Sequence, residues 1–138
     1  MIKRILIAYD GSVSAQKAFD MGLQMAQLYH AGLVVVSVTQ LPEPAMIYET
    51  TALLDEAREH YEAEFAGLRA SAQAAGVQCE TRVVAGHVAD QIVQQATAEN
   101  ADVIVMGHRG KGMIERWMLG SVSKRVISYA HCSVLVVR

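Results

Sequence analysis

Five short runs of apolar, largely β-branched residues alternate along the chain with longer segments of helical periodicity, and this alternation limits the folds open to it. The runs are Ile5–Tyr9, Leu33–Val38, Val77–Ala85, Val103–Met106 and Val134–Val137. Most of them are continuously apolar, which is typical of strands buried on both faces of a parallel sheet. Strands and helices in strict succession produce right-handed crossovers. We therefore predict an α/β fold with a single doubly wound, five-stranded parallel sheet and helices on both faces.

The third run differs from the other four because its apolar and polar residues alternate. Val77, Cys79, Thr81 and Val83 occupy every second position, with more polar residues between most of them. A strand with one more exposed face is typical of the edge of a sheet. We therefore expect the third strand to lie at an edge.

The helical segments carry start and stop signals. Ser12 and Ser14 are suited to cap the first helix, and Gly32 and Gly76 are predicted to end the first and second. The last helix is predicted to start near Gly120. Periodicity predicts an inward face on the first helix made of Ala15, Ala18, Phe19, Gly22, Met25, Ala26 and Tyr29. The same argument predicts an inward face on the last helix made of Val122, Val126, Ile127 and Ala130.

The composition excludes several classes of protein. The 138 residues, 52% hydrophobic and 19% charged, are expected to form one domain spanning 1–138. A net charge of −2 provides no basic excess for binding nucleic acid. The apolar run at the start stops at Asp10, too early for a signal peptide, and no stretch approaches the roughly 18 apolar residues of a membrane span. Cys79 and Cys132 lack metal or redox spacing, so we expect them to be buried free thiols. Together these features predict a cytoplasmic protein without membrane or nucleic-acid partners.

A glycine-rich segment follows the fourth run, where the carboxyl end of a parallel strand meets the next helix. Glycines allow tight turns and close backbone approach to a ligand. Gly120 precedes a helix whose first N–H groups lack partners and lie at the positive end of its dipole, and Ser121 and Ser123 add hydroxyls there. Such a terminus suits phosphate. The alternative, that these are ordinary turn glycines and an ordinary cap, stays open on local grounds.

Two known phosphate motifs are absent from this segment. A P-loop requires Gly-Lys-Ser/Thr, but Gly112 is followed by Met113. The dinucleotide fingerprint requires a third glycine where Glu115 stands. The sequence therefore supports neither a Walker-type NTPase nor a typical dinucleotide-binding protein.

The spacing of Gly107, Gly110 and Gly120-Ser121, with two and nine residues between the glycines, resembles the ATP-binding signature of universal stress proteins. The segment from Ile5 to Ser12 is similar to that family's first strand and its aspartate-containing turn. The resemblance covers essentially the whole chain. It implies a Rossmann-like sheet of the adenine nucleotide α-hydrolase type, with strand order 3-2-1-4-5. It also implies a nucleotide-dependent regulator of the stress response that binds ATP, ADP or AMP, with Mg²⁺ as an accompanying ion.

The resemblance implies binding roles at the ends of the first two strands. Asp10 would approach the ribose or contact a phosphate-bound Mg²⁺ indirectly, and Ala8 and Tyr9 precede it in the same turn. Val38 would lie against the adenine. The family often has proline at the position of Ala8, a difference that is expected to change backbone stiffness more than ligand chemistry.

Further roles are implied around the fourth strand and the helix after it. Met106 and Gly107 would line the base and ribose, and Gly110 would let the loop approach the phosphates. The phosphates would be held by backbone N–H groups and hydroxyls of Gly120, Ser121, Val122 and Ser123. The resemblance assigns no role to Arg109, whose guanidinium either meets the terminal phosphate or faces solvent.

A catalytic constellation is missing from the candidate site. Asp10 is the one carboxylate expected near the phosphates, and no residue stands out as a catalytic base. No histidine or cysteine has metal-ligand spacing. We therefore expect at most weak ATP hydrolysis. The alternatives are a slow Mg²⁺-dependent ATPase or phosphotransferase, and a protein-interaction module without a ligand.

The last run offers a surface for self-association. Val134–Val137 ends one residue before the end of the sequence, and an edge strand presents unpaired backbone groups to a second copy. The family resemblance implies an antiparallel dimer contact through this strand. We therefore expect a homodimer, with a regulatory protein partner of unknown identity.

Overall fold

The computed structural model describes residues 1–41, 46–109 and 120–138. Within these ranges strands and helices alternate as predicted. In chain order they are β1 (Arg4–Ala8), α1 (Val13–Tyr29), β2 (Gly32–Thr39), α2 (Ile47–Ala74), β3 (Cys79–Ala85), α3 (Val88–Ala98), β4 (Val103–Gly107), α4 (Ser121–Tyr129) and β5 (Ser133–Val137).

The five strands form one parallel sheet in the order β3-β2-β1-β4-β5, which confirms the predicted fold class and strand order. The alternating strand β3 lies at an edge, also as predicted. The central strand β1 pairs with β2 as far as Ala8 opposite Val36, but with β4 only as far as Ile7 opposite Val105. Strand β4 continues beside β5 to Gly107. Strands β1 and β4 therefore separate at their carboxyl ends.

Each face of the sheet is covered by its own pair of helices. Helices α1 and α2 pack on one face through Phe19 and Phe65, and α3 and α4 pack on the other through Ile92 and Val126. Side chains of β1 and β2 alternate between these two cores. Because both faces are covered, the central strands are buried along most of their length, which explains their continuous apolar sequence.

The helix ends agree with the sequence signals in part. Ser12 caps α1, since its side chain accepts a hydrogen bond from the Ala15 N–H at 3.1 Å. Gly76, with φ +73°, follows α2 as predicted. The predicted stop at Gly32 was wrong: α1 ends at Tyr29, His30 supplies the left-handed residue with φ 55°, and Gly32 already belongs to β2.

Two predicted inward positions face outward. Tyr29 is 49% exposed and Ile127 is 45% exposed. Tyr29 is the last residue of α1. Helix α4 is only nine residues long and buries Ser123 with Val126, because its first turn packs against the end of β4. The two cysteines are free as predicted but only half-buried.

The amino-terminal edge of the sheet is held by a network of ion pairs. Glu99, at the end of α3, pairs with Arg4 of β1 and Arg82 of β3, and Glu80 contacts both arginines. Burial alone would raise the pKa of Glu99, but hydrogen bonds from Arg4 and Arg82 outweigh it and lower the pKa. Asp102 accepts hydrogen bonds from the Lys3 and Arg4 N–H groups, which lower its pKa.

The described ranges contain no helix that is both long enough and apolar enough to cross a lipid bilayer.

Gly107 is required where β4 meets the first turn of α1. A Cβ at this position would lie 2.5 Å from the Cβ of Ser14 and 2.8 Å from the Ser14 carbonyl carbon. We expect Gly107→Ala to lower the free energy of unfolding by about 1–3 kcal/mol, because backbone atoms must move to accommodate the methyl group. Urea denaturation measures this.

Gly67→Ala is the matched control, because a Cβ on this exposed residue of α2 would meet nothing within 4 Å. It should be neutral or raise the free energy of unfolding by up to about 1 kcal/mol, since alanine favours helix. Equal effects of the two substitutions would contradict the packing argument.

The Glu99 network should make stability depend on pH. A carboxylate whose pKa is lower in the folded state than in the unfolded state stabilises the fold above its unfolded pKa, near 4.5, and loses that contribution as the pH falls through the folded value. We expect the wild-type protein to lose more stability than Glu99→Gln when acidified from pH 6 to pH 3, in urea titrations.

Asp55→Asn serves as a control for this titration, because Asp55 is 68% exposed and faces Arg58 across a surface pair of 3.4 Å. Its acid sensitivity should match that of the wild-type protein. A Glu99→Gln variant with an unchanged acid profile would show that the network contributes nothing pH-dependent.

Candidate functional site

A cavity of about 340 Å³ opens where β1 and β4 separate, on the face covered by α3 and α4. In open parallel sheets this reversal of strand order is where ligands bind, since the loops on its two sides run in opposite directions. The volume falls in the range of small-molecule sites. The cavity is therefore the first candidate for a functional site.

Every predicted site residue that the structure describes lines this cavity. Gly110 lies outside the described residues. The others are Ala8, Tyr9, Asp10, Val38, Met106, Gly107, Arg109, Gly120, Ser121, Val122 and Ser123.

Four lining residues were missed by the sequence analysis: Ala15, Val36, Val88 and Ile92. Val36 lies on the same face of β2 as Val38, two positions earlier, so strand alternation was the available signal. Val88 and Ile92 share one face of α3 at a spacing of four. That spacing marks an inward face but does not tell which part of the face lies beside a cavity.

The turn after β1 is fixed by local hydrogen bonds. Asp10 Oδ1 accepts a hydrogen bond from the Ser12 N–H at 2.9 Å, and Gly11 between them adopts a left-handed conformation with φ 81°. Ser12 in turn caps α1 through Ala15. These contacts hold Asp10 at the edge of the cavity.

Two tyrosines support this turn from the opposite face of the sheet. The Tyr9 ring packs with Phe65 and, at 6.4 Å between ring centroids, with Tyr61. Burial raises the pKa of Tyr9, to which the charge of Glu64 adds. Burial and the charge of Asp10 raise the pKa of Tyr61, while a hydrogen bond with Ser37 opposes the shift. Both phenols therefore stay protonated at neutral pH.

The amino terminus of α4 has a cap without a side chain. Gly120 occupies the capping position and provides no side-chain acceptor, while its own N–H donates to the His108 carbonyl at 2.8 Å. The N–H groups of a helix's first turn have no acceptor within the helix. Ser121, Val122 and Ser123, which carry these groups, all line the cavity. The arrangement suits an anion.

Arg109 places unpaired donors in the same cavity. Its Nε and Nη2 atoms are buried, and among the described residues neither has a hydrogen-bond partner. These two nitrogens form one edge of the planar guanidinium group, so they can hold two oxygens of one phosphate or carboxylate group. A buried donor without a partner is costly, which favours a ligand that satisfies it.

Two predicted ligand contacts have a different structural role. The Ser123 hydroxyl donates to the Gly107 carbonyl at 3.0 Å, so its proton is already used within the protein. Gly107 has no room for a side chain because of Ser14 in α1, not because of the cavity. Both residues still line the cavity, through backbone atoms in the case of Gly107.

Other polar residues near the carboxyl edge are engaged elsewhere. His108 Nδ1 lies 3.4 Å from the Ser14 hydroxyl, on the side of α1. Arg125 pairs with Asp90 of α3 at 3.2 Å and lies over the Tyr129 ring. In the part of the chain that the structure describes, no group of three or more His, Cys, Asp or Glu residues is arranged to hold a metal ion.

Comparison with known proteins identifies relatives along the whole chain. The model of the universal stress protein family matches residues 1–138. The Thermus aquaticus universal stress protein from the QAH/OAS sulfhydrylase 3′ region is 39% identical over 140 residues, covering 100% of both chains.

Solved structures of the same kind align over nearly the full length. Universal stress protein UspA from Lactobacillus plantarum has a TM-score of 0.88 and 25% identity, covering 99% of this chain and 98% of its own. A universal stress protein in complex with cAMP has a TM-score of 0.77 and 27% identity, covering 99% of this chain and 97% of its own.

Proposed function

Since this chain belongs to the universal stress protein family, we propose that it binds an adenine nucleotide in the cavity between β1 and β4 and acts as a nucleotide-dependent regulator of a stress response. ATP is the expected ligand, with ADP and AMP as the smaller alternatives. The solved relative in complex with cAMP supports an adenine nucleotide as the class of ligand.

One observation carries the proposal: two independent sets of anion-binding donors line one cavity. The first is the uncapped amino terminus of α4, and the second is the Nε and Nη2 pair of Arg109. An apolar ligand would leave both sets unsatisfied. A phosphate chain satisfies both, because it presents several anionic oxygens along its length.

The remaining lining fits the nucleoside. Val36 and Val38 of β2 and Ile92 of α3 provide an apolar wall on which a flat base can pack. Asp10 provides a carboxylate at the mouth, where it can accept a hydrogen bond from a ribose hydroxyl. The cavity thus combines an apolar part and an anion-binding part, as a nucleotide requires.

Mg²⁺ fits this site as an ion carried by the phosphates. It is usually bound by one or two carboxylates together with phosphate oxygens and water. Asp10 is a suitable carboxylate, although its Oδ1 already accepts the Ser12 N–H. Asp10 would therefore contact the ion through water. The ion would neutralise phosphate charge, and a regulator needs no hydrolysis step.

We propose further that the protein is a cytoplasmic homodimer paired through β5. This strand lies at the edge of the sheet, and Val134, Leu135, Val136 and Val137 are half-buried. The opposite edge, β3, carries Glu80 and Arg82 of the ion-pair network. An apolar edge favours pairing with a second copy more than a charged one does. A bound nucleotide would be sensed by a partner protein through the shape of this dimer.

Arg109 provides the sharpest test of nucleotide binding. We expect Arg109→Ala to weaken ATP binding about 10- to 100-fold, because a charged, bidentate contact is lost. Arg109→Lys should recover little, since an ammonium cannot form the two parallel bonds. Isothermal titration calorimetry with Mg²⁺-ATP measures both, and mass spectrometry of the denatured wild-type protein identifies any copurified nucleotide.

Arg58→Ala is the control for loss of positive charge, because Arg58 is 59% exposed on α2 and pairs with Asp55 there. Its affinity for ATP should equal that of the wild type. If the wild-type protein neither carries nor binds ATP, ADP or AMP, the proposed function is wrong.

The dimer has its own test, based on strand geometry. Within a strand, the N–H and C=O of one residue point to the same side, and those of the next residue point to the opposite side. The Val137 carbonyl accepts a hydrogen bond from the N–H of His108, the residue after β4, so the backbone of Val137 faces β4. The backbone of Val136 therefore faces away from the sheet. We expect Val136→Pro to convert the dimer to a monomer in analytical ultracentrifugation while ATP still binds, because proline removes an outward donor only.

Val83→Pro is the matched control at the other edge. The Gly86 N–H donates to the Thr39 carbonyl of β2. Backbone groups two residues apart point to the same side, so those of Val84 also point toward β2 and those of Val83 point outward. This variant should remain dimeric. A monomeric wild-type protein, or a dimer that resists Val136→Pro, would contradict pairing through β5.

A further inference from the structure

Two buried serines hold the separated ends of the central strands. Ser37 and Ser123 are 0% and 3% exposed, and they are the buried polar side chains of the described residues. Each donates its hydroxyl proton to a backbone carbonyl: Ser37 to Tyr9 at 2.6 Å and Ser123 to Gly107 at 3.0 Å. Tyr9 directly follows β1, and Gly107 is the last residue of β4. The same kind of contact thus occurs on both sides of the gap.

The Ser37 contact replaces a missing backbone bond between β1 and β2. The ladder between these strands ends where the Tyr9 N–H donates to the Val36 carbonyl at 2.9 Å. The next acceptor along β1 is the Tyr9 carbonyl, which points to the same side, toward β2. The Ser37 hydroxyl occupies it. The turn that carries Asp10 is therefore tied to β2, from which Val38 extends into the cavity.

The Ser123 contact acts on the other side of the gap. The His108 N–H binds the Val137 carbonyl of β5, so the neighbouring Gly107 carbonyl points the opposite way, toward β1. Pairing of β4 with β1 has already ended at Val105. The Ser123 hydroxyl satisfies the carbonyl that this separation would otherwise leave without a partner. It thereby ties the first turn of α4 to the strand from which Arg109 extends.

We propose that Ser37 and Ser123 are positioning residues with separate tasks: Ser123 aligns the two phosphate-binding elements with each other, and Ser37 aligns the two elements that receive the base and ribose. The Ser123 hydroxyl thus acts through the Gly107 carbonyl and not as a direct phosphate ligand. This inference rests on the proposed nucleotide site. It assigns the affinity for the phosphates and the affinity for the nucleoside to different buried hydroxyls.

The test compares ATP with adenosine, which lacks phosphate. We expect Ser123→Ala to weaken ATP about tenfold, equivalent to about 1.4 kcal/mol, while adenosine affinity changes less than about twofold. Ser37→Ala should weaken ATP and adenosine by the same factor, because the part it positions is common to both ligands. Isothermal titration calorimetry measures the four affinities, and a general loss of stability would not separate the two ligands.

Ser128→Ala is the matched control, since Ser128 also lies on α4 and donates to a backbone carbonyl, that of Lys124 at 3.0 Å, but at an exposed position. It should leave both affinities unchanged. If Ser123→Ala does not fold, Ser123→Cys keeps nearly the same volume with a weaker donor and should give the same selective loss of ATP affinity, of smaller size.

The outcomes separate this inference from the function on which it rests. If wild type binds neither ATP nor adenosine, the nucleotide site itself is wrong. If wild type binds both, and Ser123→Ala either changes neither affinity or lowers both equally, the nucleotide site stands and the division of tasks is overturned.

Discussion

The separation of β1 from β4 at their carboxyl ends is the constraint on which the rest of the structure depends. The two strands pair only as far as Ile7 and Val105, and the chain leaves them toward opposite faces of the sheet. Backbone groups beyond that point lose the partners that a continuing sheet would provide. A cavity therefore opens at the gap, and these backbone groups need other partners, such as the Ser37 and Ser123 hydroxyls.

Helices α1 and α4, which begin near the carboxyl ends of β1 and β4, differ in how their first N–H groups are capped. In helix α1, Ser12 accepts the Ala15 N–H, so one of these groups has a partner within the protein. Helix α4 begins with Gly120, which has no side chain to do so. A side-chain cap leaves fewer free N–H groups for an anion than a glycine cap does. Serine at one terminus and glycine at the other thus give the two helix ends different capacities for an anion.

The arginines at the two edges of the sheet differ in their partners. At the amino-terminal edge, Glu99 is fully engaged by Arg4 and Arg82. At the carboxyl edge, Arg109 has buried nitrogens without partners among the described residues. Among the described residues, arginine is thus paired at one edge, whereas two of its nitrogens lack hydrogen-bond partners at the other. Buried donors of this kind are tolerated where a ligand of opposite charge satisfies them.

The sequence by itself determined the class of fold, the edge position of β3 and the cap at Ser12, because these follow from local periodicity and turn chemistry. Its resemblance to a family supplied most of the residues that line the cavity, but not Ala15, Val36, Val88 and Ile92. Only the tertiary structure decided what several of those residues do. The sequence position of Ser123 suggests a phosphate ligand, but its hydroxyl donates to the carbonyl of Gly107, sixteen residues earlier in the chain. Gly107 in turn must lack a side chain, because Ser14 occupies the space that a Cβ would take. Such roles depend on contacts between atoms of segments that are distant in the sequence, and local sequence patterns do not predict those contacts.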